Sequence, residues 1–158
     1  MKTIILVFFL AINLPMTGAH AQSAKSWTAE QQQVIDAMDR LSQATAVDGG
    51  GAADYAAVLT ENFSRWSSGS QLVNDKKTWV DGLDDWFTDG WRVTDRSTQI
   101  VGIVIQANHA FVRRNVQETY LGPENNQSEA NAALAEVWVR DVDQWKLMQA
   151  NVTVIDQL

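Results

Sequence analysis

The sequence changes its periodicity near Trp91, and this change is the strongest constraint on the fold. After it, the segments STQIVGIVIQ and FVRRNVQETYL are rich in β-branched residues and have the pattern of strands. The closing segment, Ala135 to Ile155, contains two further strands joined by the turn DVD. Strands that follow a run of helices are typical of an α+β domain. The second half of the chain therefore predicts an antiparallel sheet.

Three amphipathic segments precede these strands. Thr28 and Gln31 have the spacing of a capping box at the start of a helix predicted over about residues 28–45. The segment AADYAAVLTENF predicts a second, shorter helix, followed by a brief strand over residues 63–68. We expect these helices and a third one to cover one face of a strongly curved sheet.

The third helix has clear limits in the sequence. Asn74 or Asp75 can cap its start, and Gly90 can end it. Farther along the chain, the polar segment over residues 122–131 predicts a loop between two strands. No internal repeat or linker divides the chain, so we expect a single domain.

The first 21 residues have the layout of an export signal. Lys2 precedes an apolar run from Ile4 to Ile12, and Ala19-His20-Ala21 fits a cleavage site. We therefore expect residues 1–21 to be a signal peptide and residues 22–158 to form one periplasmic or secreted domain. The apolar run is too short to span a bilayer, and we expect no membrane partner after cleavage.

Composition excludes several classes of function. The chain has no cysteine, so packing must hold the exported domain together, and seven tryptophans suit that role. Loss of Lys2 would change the formal net charge from −7 to −8, which argues against nucleic acid as a partner. Outside the leader, His109 is the one histidine. We therefore predict no metal site and no cofactor.

The order of elements resembles the SnoaL-like and ketosteroid-isomerase-like group, whose cone-shaped fold is also called nuclear transport factor 2-like. Within this group the chain is most similar to the family called domain of unknown function 4440. The resemblance lies in ADYAAVLTENF and in the closing AEVWVRDVDQWKLMQANVTVI. It implies a pocket between a curved sheet and the helices, and a homodimer as is common in the group. Members use their pockets differently, so the resemblance implies no particular reaction.

The ketosteroid isomerase pattern is incomplete in this sequence. The resemblance places its tyrosine near Met38 to Leu41, where there is none, and its carboxylate base near Ser67. Of the three residues in this pattern, only the acidic hydrogen-bond donor has a counterpart, which is Glu136. The Asp-Arg-Asp set of the epoxide hydrolases is also not evident. Glu136 is therefore the one candidate catalytic residue.

Strand alternation selects candidates for ligand binding. If Glu136 faces inward, Leu134 and Trp138 share its face. A buried carboxylate needs a counter-charge, and Arg114 on the neighbouring strand is the best candidate. The alternative is that Arg114, Glu118 and Glu136 form a surface ladder that contributes little stability.

The last strand adds two amides to the predicted ligand-binding set. Its alternation places Gln149 and Asn151 on one face with Leu147, and a wholly apolar set that includes Ala150 and Val152 on the other. The apolar set predicts core, so the amides would point into a cavity or into solvent. The resemblance favours the cavity.

Two aromatic residues complete the predicted set. Tyr120 shares a strand face with Arg114, and Trp66 could line a pocket for a flat apolar ligand, as could Trp79, Trp86 and Trp91. The alternative for each tryptophan is ordinary core packing.

Three functions stay open at this point. The first is an exported domain that binds a small, partly apolar molecule. The second is a ketosteroid-isomerase-like or cyclase-like enzyme that uses Glu136 as general acid or base. The third is a non-catalytic dimerisation or scaffold module. The first is favoured, because the sequence has polar residues around Glu136 but no complete catalytic set.

Overall fold

The structure is a computed structural model that describes residues 26–155, so the predicted signal peptide lies outside the described residues. Helices and strands follow in the order α1 Ala29–Gln43, α2 Ala52–Ala57, β1 Leu59–Ser67, β2 Val73–Asp75, α3 Lys76–Thr88, β3 Arg92–Gln106, β4 His109–Leu121, β5 Gln127–Asp141 and β6 Gln144–Val154.

The six strands form one curved sheet in the order β2-β1-β6-β5-β4-β3. Strands β1 and β6 run parallel, and the other neighbouring pairs are antiparallel. The register shifts by one residue at Thr94 and Val101 of β3 and at Met148 of β6. Such extra residues bend a sheet. The prediction of an α+β domain with three helices on a curved antiparallel sheet is confirmed, apart from the parallel β1–β6 pair.

Helix α1 begins where the sequence predicted. The Gln31 backbone N–H donates to the Thr28 hydroxyl at 3.2 Å, and the Thr28 N–H donates to the Gln31 side-chain oxygen at 3.0 Å. These two bonds satisfy backbone groups that the first helical turn leaves without partners. The buried residues of α1 pack against the sheet in a core that includes Val112, Trp138 and Leu147.

The boundaries of two elements differ from the sequence prediction. Helix α2 ends at Ala57, and Leu59 already belongs to β1, where it is buried with Phe63. Both a helix and a strand would bury Leu59, so periodicity alone could not separate them. Strand β5 begins at Gln127, inside the predicted polar loop, because its start pairs with the end of β4. Cross-strand pairing there overrides the low strand propensity of the residues.

The third helix agrees with its predicted limits. The Asp75 carboxylate accepts a hydrogen bond from the Thr78 N–H at 2.8 Å, and Gly90 follows the helix with a positive φ of 93°. None of the helices within residues 26–155 has the length and hydrophobicity needed to cross a bilayer.

Candidate functional site

A cavity of about 480 Å³ lies between the sheet and the helices. Helices α1, α2 and α3 contribute one wall, and strands β1, β3, β4, β5 and β6 contribute the other. Cavities of this size are typical of small-molecule sites. Much of the lining is apolar, from Leu41, Leu83, Trp86, Val93, Val116, Ala130, Ala132, Leu134, Leu147, Ala150, Val152 and Val154.

Arg114 and Glu136 form a buried ion pair on the sheet side of this cavity. Arg114 Nη2 lies 2.8 Å from Glu136 Oε1, and Arg114 Nε lies 3.2 Å from Oε2. The two side chains are 7% and 1% exposed. Arg114 therefore supplies the positive charge that the Glu136 carboxylate needs in an apolar site.

Trp138 gives Glu136 a further hydrogen bond. The fully buried indole donates from Nε1 to Glu136 Oε2 at 3.1 Å. Burial alone would lower the pKa of Arg114, but the charge of Glu136 and the hydrogen bonds to it hold that pKa above its ordinary value. The guanidinium thus stays charged, and the carboxylate is fixed by donors on both of its oxygens.

A second polar cluster joins β3, β4 and α1. Arg96 Nε lies 2.6 Å from Glu118 Oε1, and its terminal nitrogens donate to the Ser42 carbonyl at 2.6 Å and the Thr45 hydroxyl at 2.7 Å. The Tyr120 hydroxyl donates to the other oxygen of Glu118. Burial raises the pKa of Tyr120, and the hydrogen bond to Glu118 and the charge of Glu118 raise it further. Tyr120 therefore keeps its proton at neutral pH.

Tyr55 enters the cavity from α2. Burial raises its pKa, and this effect outweighs the opposing influence of the neighbouring Trp79 indole. The buried Nε1 of Trp79 meets no acceptor at hydrogen-bonding geometry among the described residues. Both groups are therefore neutral hydrogen-bonding groups beside the cavity.

Arg65 of β1 is the third arginine that lines the cavity. Its guanidinium stacks over the Trp79 ring at 4.0 Å, and Nη1 donates to the Ser67 hydroxyl at 2.9 Å. None of the carboxylates within residues 26–155 lies at ion-pair distance from it. Burial lowers its pKa. Arg65 is thus a partly buried cation without a carboxylate partner.

The structure brings three of the seven candidate site residues into the cavity. Arg114, Glu136 and Tyr120 line it, and Trp138 lies directly behind Glu136 without lining it. The pair is not a surface ladder, because Glu118 pairs with Arg96 instead.

The other three candidates lie on the opposite face of the sheet, which corrects their predicted placement. The extra residue Met148 reverses the alternation of β6, so that Leu147 and Ala150 both line the cavity while Gln149 and Asn151 do not. Trp66 pairs with Asn151 across β1 and β6, on the face opposite to Arg65, and is 37% exposed. A one-residue shift moves every following side chain to the other face.

Sequence reasoning missed Tyr55 and Arg65. A signal for Arg65 was present, because Arg65 lies two residues after the buried Phe63 and therefore shares its strand face. The signal for Tyr55 was its place on the apolar stripe of α2, which is also compatible with ordinary core packing.

Comparison with known proteins shows the fold. No family model matches the sequence, and no curated protein sequence matches it either. Among solved structures, a nuclear transport factor 2-like protein from Cytophaga hutchinsonii is similar with a TM-score of 0.67 at 15% identity, over 81% of this chain and 100% of that one. A ketosteroid isomerase-like protein from Erwinia carotovora atroseptica is similar with a TM-score of 0.60 at 16% identity, over 80% and 94%.

A third similar structure is a nuclear transport factor 2-like protein of unknown function from Prochlorococcus marinus. Its TM-score is 0.65 at 9% identity, over 83% of this chain and 97% of that one. These similarities confirm the predicted nuclear transport factor 2-like fold. The finer resemblance to domain of unknown function 4440 stays a prediction.

The buried ion pair generates a prediction about stability. We expect Arg114→Met and Glu136→Leu each to lower the free energy of unfolding by about 3–5 kcal/mol, because each leaves one buried charge without its partner. The double variant should be less destabilised than either single variant, since it buries no charge. Urea unfolding at equilibrium measures all three. Lys77→Met, in the exposed Lys77–Asp81 pair, is the control and should change stability little. Additive losses in the double variant would contradict the pairing.

The tyrosines generate a prediction about alkaline pH. The chain has two tyrosines, both line the cavity, and the pKa of each is raised above 10. Folded protein at pH 10 should therefore show little tyrosinate absorbance, whereas urea-unfolded protein should be about half ionised. The stability that this difference supplies is present below pH 10 and is lost as pH rises through the folded pKa values. Tyr55→Phe and Tyr120→Phe assign the two signals. Half-ionised tyrosines at pH 10 with native circular dichroism would contradict the prediction.

Proposed function

We propose that this chain, which has the nuclear transport factor 2-like fold, is an exported domain that binds a small, partly apolar molecule. The observation that carries the proposal is the cavity of about 480 Å³, with an apolar lining and a few polar groups. Such a combination suits ligands that bury most of their surface and are oriented by a few hydrogen bonds. Export rests on the signal-like layout of residues 1–21.

The bonding of Glu136 favours binding over catalysis. Arg114 donates to both of its carboxylate oxygens, and Trp138 donates to one of them. Both carboxylate oxygens therefore already accept hydrogen bonds from the protein, which leaves little capacity for a bond to a substrate. A residue that exchanges a proton with a substrate must lie within hydrogen-bonding reach of it.

An enzyme that uses Glu136 as general acid or base is the second candidate. The observation in its favour is that Glu136 lines the cavity, together with the neutral hydroxyls of Tyr55 and Tyr120. Turnover of an enolisable ketone by the wild type, lost in Glu136→Gln while apolar probes still bind, would favour this candidate over simple binding.

We also propose that the domain is a homodimer that pairs through the outer face of its sheet. Phe111 and Val104 are adjacent on that face, 48% and 62% exposed, and Val137 lies beside Phe111. Trp66 adds a 37% exposed indole toward the other edge. Apolar side chains grouped on one exposed face of a sheet are typical of a subunit contact. A second copy would cover this face and leave the cavity free.

The cavity proposal predicts binding of a neutral apolar probe. N-phenyl-1-naphthylamine should gain fluorescence on binding to the wild type and should raise its melting temperature, because it binds only the folded state. Ala132→Trp fills the cavity from β5 and should abolish both effects. A panel of steroids, terpenoids and aromatic acids, assayed by thermal shift, extends the test to natural ligand classes.

Ala53→Trp is the matched control for the cavity test. Ala53 is exposed on α2 and does not line the cavity, so this variant should bind the probe like the wild type. The binding proposal would be overturned if the wild type bound none of the compounds of the panel, charged or neutral.

The dimer proposal predicts a change of mass in solution. Phe111→Asp places a charge in the proposed contact and should convert a dimer to a monomer in sedimentation equilibrium. Val47→Asp is the control, because Val47 is 64% exposed in the segment between α1 and α2 and lies outside the proposed contact. A monomeric wild type at micromolar concentration would contradict the proposal.

A further inference from the structure

Arg65 differs from the other two arginines of the cavity in its partners. Arg114 pairs with Glu136, and Arg96 pairs with Glu118. Within residues 26–155, no carboxylate lies at ion-pair distance from Arg65. The two pairs are each neutral, so Arg65 leaves the cavity with one positive charge that the described chain does not neutralise.

The position of the Arg65 guanidinium is fixed by two neighbours. Its face lies on the Trp79 ring at 4.0 Å, and Nη1 donates to Ser67 at 2.9 Å. A guanidinium has five N–H donors in one plane, and stacking uses its face and leaves its edge free. Most of the donors of Arg65 therefore stay available to a group with two acceptor oxygens.

The surroundings make this free charge costly. Aliphatic side chains of β5 and β6 form much of the lining, and burial lowers the pKa of Arg65. A cation in such a place is stabilised by a partner of opposite charge. The Trp79 ring that stacks on the guanidinium supplies its π face but no negative charge.

We propose that the cavity binds an amphipathic organic acid, whose carboxylate or sulfonate pairs with Arg65 and whose apolar body lies against Trp86, Leu134 and Val152. This inference rests on the proposed function and names the ligand class of the same cavity. One anionic group is expected, because one cation is unpaired and the carboxylates of Glu118 and Glu136 repel further negative charge.

Two fluorescent probes with one skeleton test the proposal. 8-Anilino-1-naphthalenesulfonate carries an anion, and N-phenyl-1-naphthylamine lacks it. We expect the wild type to bind the sulfonate at least 10-fold more tightly than the neutral probe. Arg65→Met keeps the apolar stem but removes the charge, and it should weaken sulfonate binding by about 10- to 100-fold, the worth of one charge-assisted contact. Affinity for the neutral probe should stay the same or rise.

Two controls make the result specific. Arg40→Met removes the same charge from an exposed position on α1 that does not line this cavity, and it should bind both probes like the wild type. Arg65→Lys keeps a charge without the planar edge and should recover part of the sulfonate affinity. Near-ultraviolet circular dichroism shows that each variant is folded.

The outcomes separate this inference from the proposed function. Equal sulfonate affinity in the wild type and Arg65→Met, with the neutral probe still bound, would overturn the organic-acid inference and leave cavity binding intact. Failure of the wild type to bind either probe, or any compound of the thermal-shift panel, would overturn both. Sulfonate binding that is lost equally in Arg40→Met and Arg65→Met would also overturn the inference, since surface charge would then explain it.

Discussion

The cavity exists because the sheet curves away from the helices that cover it. Strands β3 and β6 carry extra residues at Thr94, Val101 and Met148, and such bulges bend a strand and increase its twist. Helix α2 has only six residues, so it cannot follow the curve and fill the space. A flatter sheet would let the aliphatic side chains of β5 and β6 close against Trp86 of α3. Every other property of the site therefore depends on the curvature of the sheet.

The regular strands made the centre of the site predictable, and the irregular strand did not. Strands β4 and β5 pair without a register shift, so simple alternation placed Arg114 and Glu136 on one face. Strand β6 inserts Met148, which puts Leu147 and Ala150 on the same side and turns Gln149 and Asn151 outward. The bulge changes the phase of the apolar alternation between Leu147 and Ala150. The same pattern also fits a regular strand that is apolar on both faces, so sequence reasoning did not locate the bulge. Helices α1 and α3 were predictable because their side-chain caps are local signals in the sequence.

Stability alone does not explain the buried Arg114–Glu136 pair. Apolar residues of similar volume are often as stable as an ion pair inside a protein, because taking two charges out of water costs about as much as their attraction returns. The pair does place a rigid polar surface in an otherwise apolar wall, held by hydrogen bonds to both carboxylate oxygens. A fixed polar surface orients a bound molecule through hydrogen bonds of set direction. This property is more useful to a binding site than to a proton-transfer site.

The three arginines of the cavity show where the chain satisfies its own charges and where it does not. Glu136 and Glu118 come from the same sheet as Arg114 and Arg96, so folding supplies both partners. Arg65 receives a tryptophan face and a serine hydroxyl, which position a guanidinium but do not neutralise it. An acid from the chain at this place would have formed a third closed pair and a cavity without net charge. None of the described residues supplies a negative charge to Arg65. The molecule that binds in the cavity is therefore expected to supply it.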